Sequence, residues 1–201
     1  MVQSNGTAMI QHMGNESNAR NSAVEIMTYV IKQNYRRNKN QGINAKNLER
    51  FRDDILNATL RAYSPDIAPQ HQCITNQVAE DLLEQLVIAC DFDFISQTIE
   101  PLLREEQPPR LQALLRMVQN KLRFIQKMQE QTPDAPIFKP SEGQLLIENL
   151  QSTSDVLASL MGNQNADVRK SVVFCLVEIH SVISDEALFQ ECFLDKLNQS
   201  Q

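Results

Sequence analysis

The stretch from Asp167 to Ile183, DVRKSVVFCLVEIHSVI, constrains this chain more than any other, because it is apolar on nearly every side. Its β-branched run would suit a buried strand, but it is too long for one, and Asp167 before VRKS suits the cap of a helix. The stretch therefore predicts a helix packed between neighbours. A helix of that kind belongs in the middle of a stack, and the segment carrying Leu188, Phe189, Cys192, Phe193 and Leu197 is the expected cover.

The rest of the chain reads as further amphipathic helices, with no sustained strand alternation. There is no tryptophan and there are only five glycines among 201 residues, too few turn formers for a sandwich or barrel of short strands. A short helix is expected around Ala8–Met13. A longer one, from about Asn18 to Tyr35, follows with a stripe of Ala23, Ile26, Met27, Val30 and Ile31. The next begins near Ala45 with Leu48, Phe51, Ile55, Thr59 and Ala62 on one face, and Pro65 and Pro69 should stop it. Its partner runs from Ile74 to about Cys90 through Val78, Leu82, Leu83, Leu86 and Val87. Asp91 then caps a helix with Phe92, Ile95, Ile99, Leu102 and Leu103 inward, and Pro109 opens a long helix to about Gln131. Thr132–Pro140, with three prolines, is an expected loop. Helices from Ser141 to about Leu160, from Asp167 to Ile183 and from about Asp185 to Leu197 complete the series, about nine in all.

Self-similarity supports pairing. LASLMGNQNADVRKSVVFCLVEI parallels AMIQHMGNESNARNSAVEIMTYVI: Met161, Gly162, Asn163, Arg169 and Ser171 correspond to Met13, Gly14, Asn15, Arg20 and Ser22, with a one-residue slip in the turn. Glycine at the helix end would supply a left-handed cap, and Asn or Asp would cap the next helix. The expected fold is all-α, an α-solenoid of stacked antiparallel helix pairs forming one domain over 1–201.

No catalytic constellation is apparent. His12, His71 and His180 lie in separate elements, there is no Gly-rich phosphate cradle, and neighbouring carboxylates such as Glu105 and Glu106 point to different sides of a helix. The reading is of a protein that is not an enzyme and needs no cofactor. Cys73, Cys90, Cys175 and Cys192 form no C-x-x-C pair and read as small buried hydrophobes of a reducing compartment, with no metal site. The start of the chain lacks the pattern of a signal peptide, and no apolar run approaches a membrane span. The net charge of −6 is uneven: residues 1–61 hold nine Lys or Arg against five Asp or Glu, and residues 62–201 hold ten against twenty. The acidic majority argues against nucleic acid as the main partner. Two basic groups stand out as partner-binding candidates, Arg36, Arg37 and Arg50 in the first third and Arg116, Arg123 and Lys127 on one face of the helix after Pro109. Ordinary solvated surface is the competing reading of both.

The run Val168, Arg169, Lys170, Ser171, Val173, Phe174, Cys175, Leu176, Val177, followed by SVIS, resembles the last repeat of the CLASP (cytoplasmic linker associated protein) family, microtubule plus-end regulators. The similarity is specific over about residues 142–183 and before that lies in helix order and spacing. It implies a TOG-like array of HEAT repeats, a C-terminal fragment of a larger protein, in which Val168, Arg169, Lys170, Ser171, Phe174, Cys175 and Leu176 form a structural motif. It also implies a cytoplasmic, cytoskeletal setting at plus ends, spindle and kinetochore, with docking of CLIP-type linkers, kinetochore proteins and cortical anchors, through helical or coiled-coil segments. The tubulin-binding domains of such proteins present Trp and then Lys or Arg along their turns. The turns here, GNESN, SPDIAPQHQ, REEQPP and GNQNAD, lack Trp and are neutral or acidic, so weak or no tubulin binding is expected. The alternative is a helical-repeat scaffold in transport or RNA processing.

Overall fold

The computed structural model describes residues 17–37, 48, 50–63, 69–90, 93–131, 153–183 and 186–195, and among them the chain is all-helical with no strand. Seven α-helices are bounded: α1 Ser17–Arg37, α2 Arg52–Leu60, α3 Pro69–Ala89, α4 Glu100–Glu105, α5 Arg110–Gln131, α6 Ala166–Ile183 and α7 Glu186–Phe189. Among the described residues the bounded count is seven, against about nine expected for the whole chain. The helix foreseen at Ala8–Met13 lies outside the described residues, and the one foreseen from Ser141 is described only over 153–161, which are helical. The Thr132–Pro140 loop also lies outside them. The chain divides into two compact units, Met1–Cys90 and Asp91–Gln201.

In the first unit α1 packs along α3, and α2, with a 3₁₀ turn at Arg61–Tyr63, packs on α3 as well. Val24, Met27 and Ile31 meet a core that includes Ile55, Leu56, Leu60, Leu82, Leu83, Leu86 and Val87, all buried. Each such side chain contributes roughly 1.5–3 kcal/mol by leaving water. Thr59 is buried without penalty because its hydroxyl donates to the Ile55 carbonyl at 2.6 Å. Two expectations are corrected here. Ile26 and Val30 are exposed, and Val24 joins the inward face, so the buried stripe of α1 is Ala23, Val24, Met27 and Ile31. Pro69 begins α3 and does not merely end what precedes it; a first-turn proline forfeits only an N–H that has no helical acceptor.

The second unit opens at Asp93–Phe94 and widens into a π turn at Ile95–Ile99 before α4. Pro101 cannot donate a helical hydrogen bond, and its ring crowds the carbonyl four residues back, which a wider turn relieves. The extra residue per turn puts Phe94 and Ile99 on one face. Phe94 is thereby fully buried, although sequence spacing did not pick it out. Glu100, also buried, accepts a hydrogen bond from Arg104 at 3.2 Å. Helix α5 starts one residue after Pro109, whose carbonyl accepts from Ala113 N at 3.2 Å. Its inward face is Leu111, Leu114, Leu115, Val118, Leu122 and Ile125.

Helix α6 packs along α5, although residues 153–161 intervene in the chain and bury Thr153, Ser154, Val156 and Leu157. Three polar ties register the two helices. The Cys175 thiol donates to the Leu115 carbonyl at 3.3 Å, the Gln119 amide donates to the Ser171 carbonyl at 3.0 Å, and one turn further on Arg123 meets Glu178 at 2.5 Å. Buried Gln119 is satisfied by its bond to Ser171, as an amide withdrawn from water must be. Helix α7 and the π turn Gln190–Leu194 close the C-terminal end of α6. Phe189 and Phe193 are buried and stacked at 5.4 Å, with the His180 ring edge-on to Phe189 at 4.8 Å.

The turn into α6 departs from its expected form in two respects. Gly162 is not left-handed: its N–H and that of Asn163 reach back three residues to the Ser159 and Leu160 carbonyls, at 3.2 and 3.0 Å, in a 3₁₀-like close. The cap of α6 is Asn165 and not Asp167. Its Oδ1 accepts from Asp167 N at 2.9 Å and Val168 N at 3.3 Å, and Asp167 stands in the first helical turn, where its charge suits the helix dipole.

Candidate functional site

The motif run of α6 separates by face. Val168, Val172, Cys175, Leu176, Ile179 and Val182 are buried. Burial raises the Cys175 thiol from 9.0 to about 12, with the Gln119 side chain and Arg123 acting in the opposite direction, so the sulfur stays protonated and acts as a small apolar group. Arg169 braces the preceding turn, its guanidinium donating to the Asn163 carbonyl at 2.7 Å and the Gln164 carbonyl at 3.1 Å. Ser171 donates its hydroxyl to the Asp167 carbonyl at 2.9 Å. These residues hold α6 in place.

The opposite face corrects the expectation of all-round burial. Val173, Phe174 and Val177 are 43–56% exposed, and no described residue covers them. They fall within one helical turn on the side away from the core, and Lys170, one turn earlier, sets its ammonium 5.8 Å from the Phe174 ring. Of the cover expected from the last helix, Phe189 meets the His180 ring at 4.8 Å, and the side chains of Leu188, Cys192 and Leu197 lie outside the described residues.

Helix α1 shows the same division, with Ile26 and Tyr29 bare and Val24, Met27 and Ile31 buried. Its burial pattern matches Val172, Cys175 and Ile179 of α6 at a constant spacing of 148 residues, the spacing that relates Met13–Gly14 to Met161–Gly162. The slip inferred from Arg20 and Ser22 is therefore not carried into the packing register.

Of the basic candidates, Arg116, Arg123 and Lys127 are exposed together on α5. Arg123 is also an intramolecular tie, since it holds Glu178 of α6. This sets Arg123 beside Glu178, which stands one helical turn after Phe174 of the apolar strip on α6. Arg50 is exposed, its guanidinium 5.6 Å from the Phe51 ring, and the side chains of Arg36 and Arg37 lie outside the described residues. The strip itself was missed as a surface because its residues are apolar and sequence periodicity assigned them to the core. His180, half exposed, pairs its Nε2 with Glu186 at 3.0 Å. Among the described residues no three His, Cys, Asp or Glu side chains lie close enough to share a metal ion, and no helix is long and apolar enough to cross a membrane.

The all-helical fold and an open apolar strip beside a row of cations are thus the features on which a functional reading must rest. Compared with protein-family models and with curated protein sequences, the chain matches none.

Proposed function

We propose that this chain is a non-catalytic docking domain, a TOG-like α-solenoid of stacked antiparallel helix pairs that positions a microtubule plus-end regulator by binding CLIP-type linkers and kinetochore or cortical partners. The setting is cytoplasmic and cytoskeletal, and direct affinity for tubulin is weak. The observation that carries the reading is the run Val168–Val177, which resembles the last repeat of the CLASP family and here combines an inward structural face with a bare outward one. Recognition by such a surface needs complementary shape and charge and no bond-making step.

The test is co-sedimentation with microtubules alongside capture of a purified CLIP-type linker fragment. The linker is expected to be retained and microtubules largely left in solution, with charge reversal at Arg116, Arg123 and Lys127 weakening linker capture. Sedimentation as strong as that of a tubulin-binding TOG domain, or no linker capture, would contradict the proposal.

A further inference from the structure

The second unit is acidic, with sixteen Asp or Glu against ten Lys or Arg from Asp91 to Gln201, yet α5 alone carries five Lys or Arg against one Glu. Its exposed cations stand seven and four residues apart on a single face, and Arg123 sets that face against α6 through Glu178. Lys170 borders the strip at its other end. The acidic groups beside the row are already engaged, Glu178 by Arg123 and Glu130 by the Gln126 amide at 3.2 Å, while Asp167 sits back at the start of α6. Positive charge is therefore gathered beside the apolar strip that the described residues of this unit leave open.

Resting on the docking reading above, we infer that Val173, Phe174 and Val177 seat the apolar stripe of an amphipathic partner helix whose margins are acidic and face Lys170 on one side and Arg123 and Lys127 on the other. Three side chains within one turn match residues i, i+3 and i+4 of such a helix. A lipid surface is the poorer occupant, because the strip is only one turn long and the acidic unit is repelled by anionic headgroups.

The test uses the full chain and two fluorescein-labelled synthetic helices with the same leucine stripe, one flanked by Glu and one by Lys, followed by fluorescence anisotropy. The Glu helix is expected to bind at least about tenfold more tightly than the Lys helix, and to weaken as salt rises. Phe174→Ser with Val177→Ser is expected to weaken the Glu helix by at least about tenfold, as loss of a central hydrophobic anchor does. Should that variant melt early, Lys127→Glu with Lys170→Glu takes its place and is expected to remove the preference for the Glu helix. Equal binding of the two helices, an unchanged affinity in the folded Ser variant, or strip-dependent binding to phosphatidylserine vesicles would overturn the inference. The linker capture described above, repeated with the Ser variant, separates the two claims. Capture that survives in the variant overturns this face and leaves the docking reading standing, whereas a wild-type chain that binds the Glu helix but no linker does the reverse.

Discussion

Two valines of α6 allow the same substitution to be made on its two faces. Val172 is fully buried and Val177 is 56% exposed, and both stand in the helix interior, where alanine is favoured over valine by about 0.5 kcal/mol. Val172→Ala withdraws two methyl groups from the core at about 0.8 kcal/mol each, and the unfilled space against α5 adds about 1 kcal/mol more. After the gain in helix propensity, a net loss of about 2 kcal/mol is expected. For Val177→Ala less than half of the transfer energy is at stake and no cavity forms, so the propensity gain cancels it and the change should lie within about 0.5 kcal/mol of zero. Urea unfolding followed by far-UV circular dichroism, compared through the midpoints at a common slope, measures the difference. Equal losses for the two variants would show α6 to be packed on both sides, as its sequence alone suggests, and would refute the open face.

Asn165→Ala removes the acceptor for Asp167 N and Val168 N and is expected to cost about 1 kcal/mol, whereas Gly162→Ala should be tolerated, since its backbone is not left-handed and a Cβ there meets the Ser159 carbonyl oxygen only at 3.4 Å; thermal melts of both variants decide this. The Cys175 thiol, held protonated to about pH 12 when folded and ionising at 9.0 when unfolded, contributes stability that is constant below 9.0 and falls by about 1.4 kcal/mol per pH unit as pH rises from there toward 12. Cys175→Ala should remove that component of the alkaline slope, and an identical slope in the variant would count against it. The Arg123–Glu178 pair, with the arginine side chain about half exposed, should contribute less than about 1 kcal/mol in a double-mutant cycle, so charge changes there report on binding more than on folding.

The helices were legible in the sequence because their inward faces repeat at helical spacing: Leu82, Leu83, Leu86 and Val87 in α3, and Leu111, Leu115, Val118, Leu122 and Ile125 in α5, are buried as the pattern predicts. Phe94 escaped because the π turn before Pro101 breaks the 3.6-residue period on which the reading depends. The cap of α6 is Asn165 and not Asp167 because Asn163, Asn165 and Asp167 all carry a side-chain oxygen suited to capping, and only the backbone path selects among them. The candidate surface was half legible. Charge and spacing marked Arg116, Arg123 and Lys127, but an apolar residue looks the same in sequence whether it faces a neighbouring helix or water, so Val173, Phe174 and Val177 were counted as core. The tie of Arg123 to Glu178, fifty-five residues away, lies beyond any local pattern.

The most direct test of the docking account is a calorimetric titration of the coiled-coil segment of a CLIP-type linker into the purified chain, run in parallel with the Phe174→Ser, Val177→Ser variant. Saturable binding to the wild type that the variant loses is the predicted result. An absence of heat with the wild type, from a chain that melts cooperatively, would contradict it.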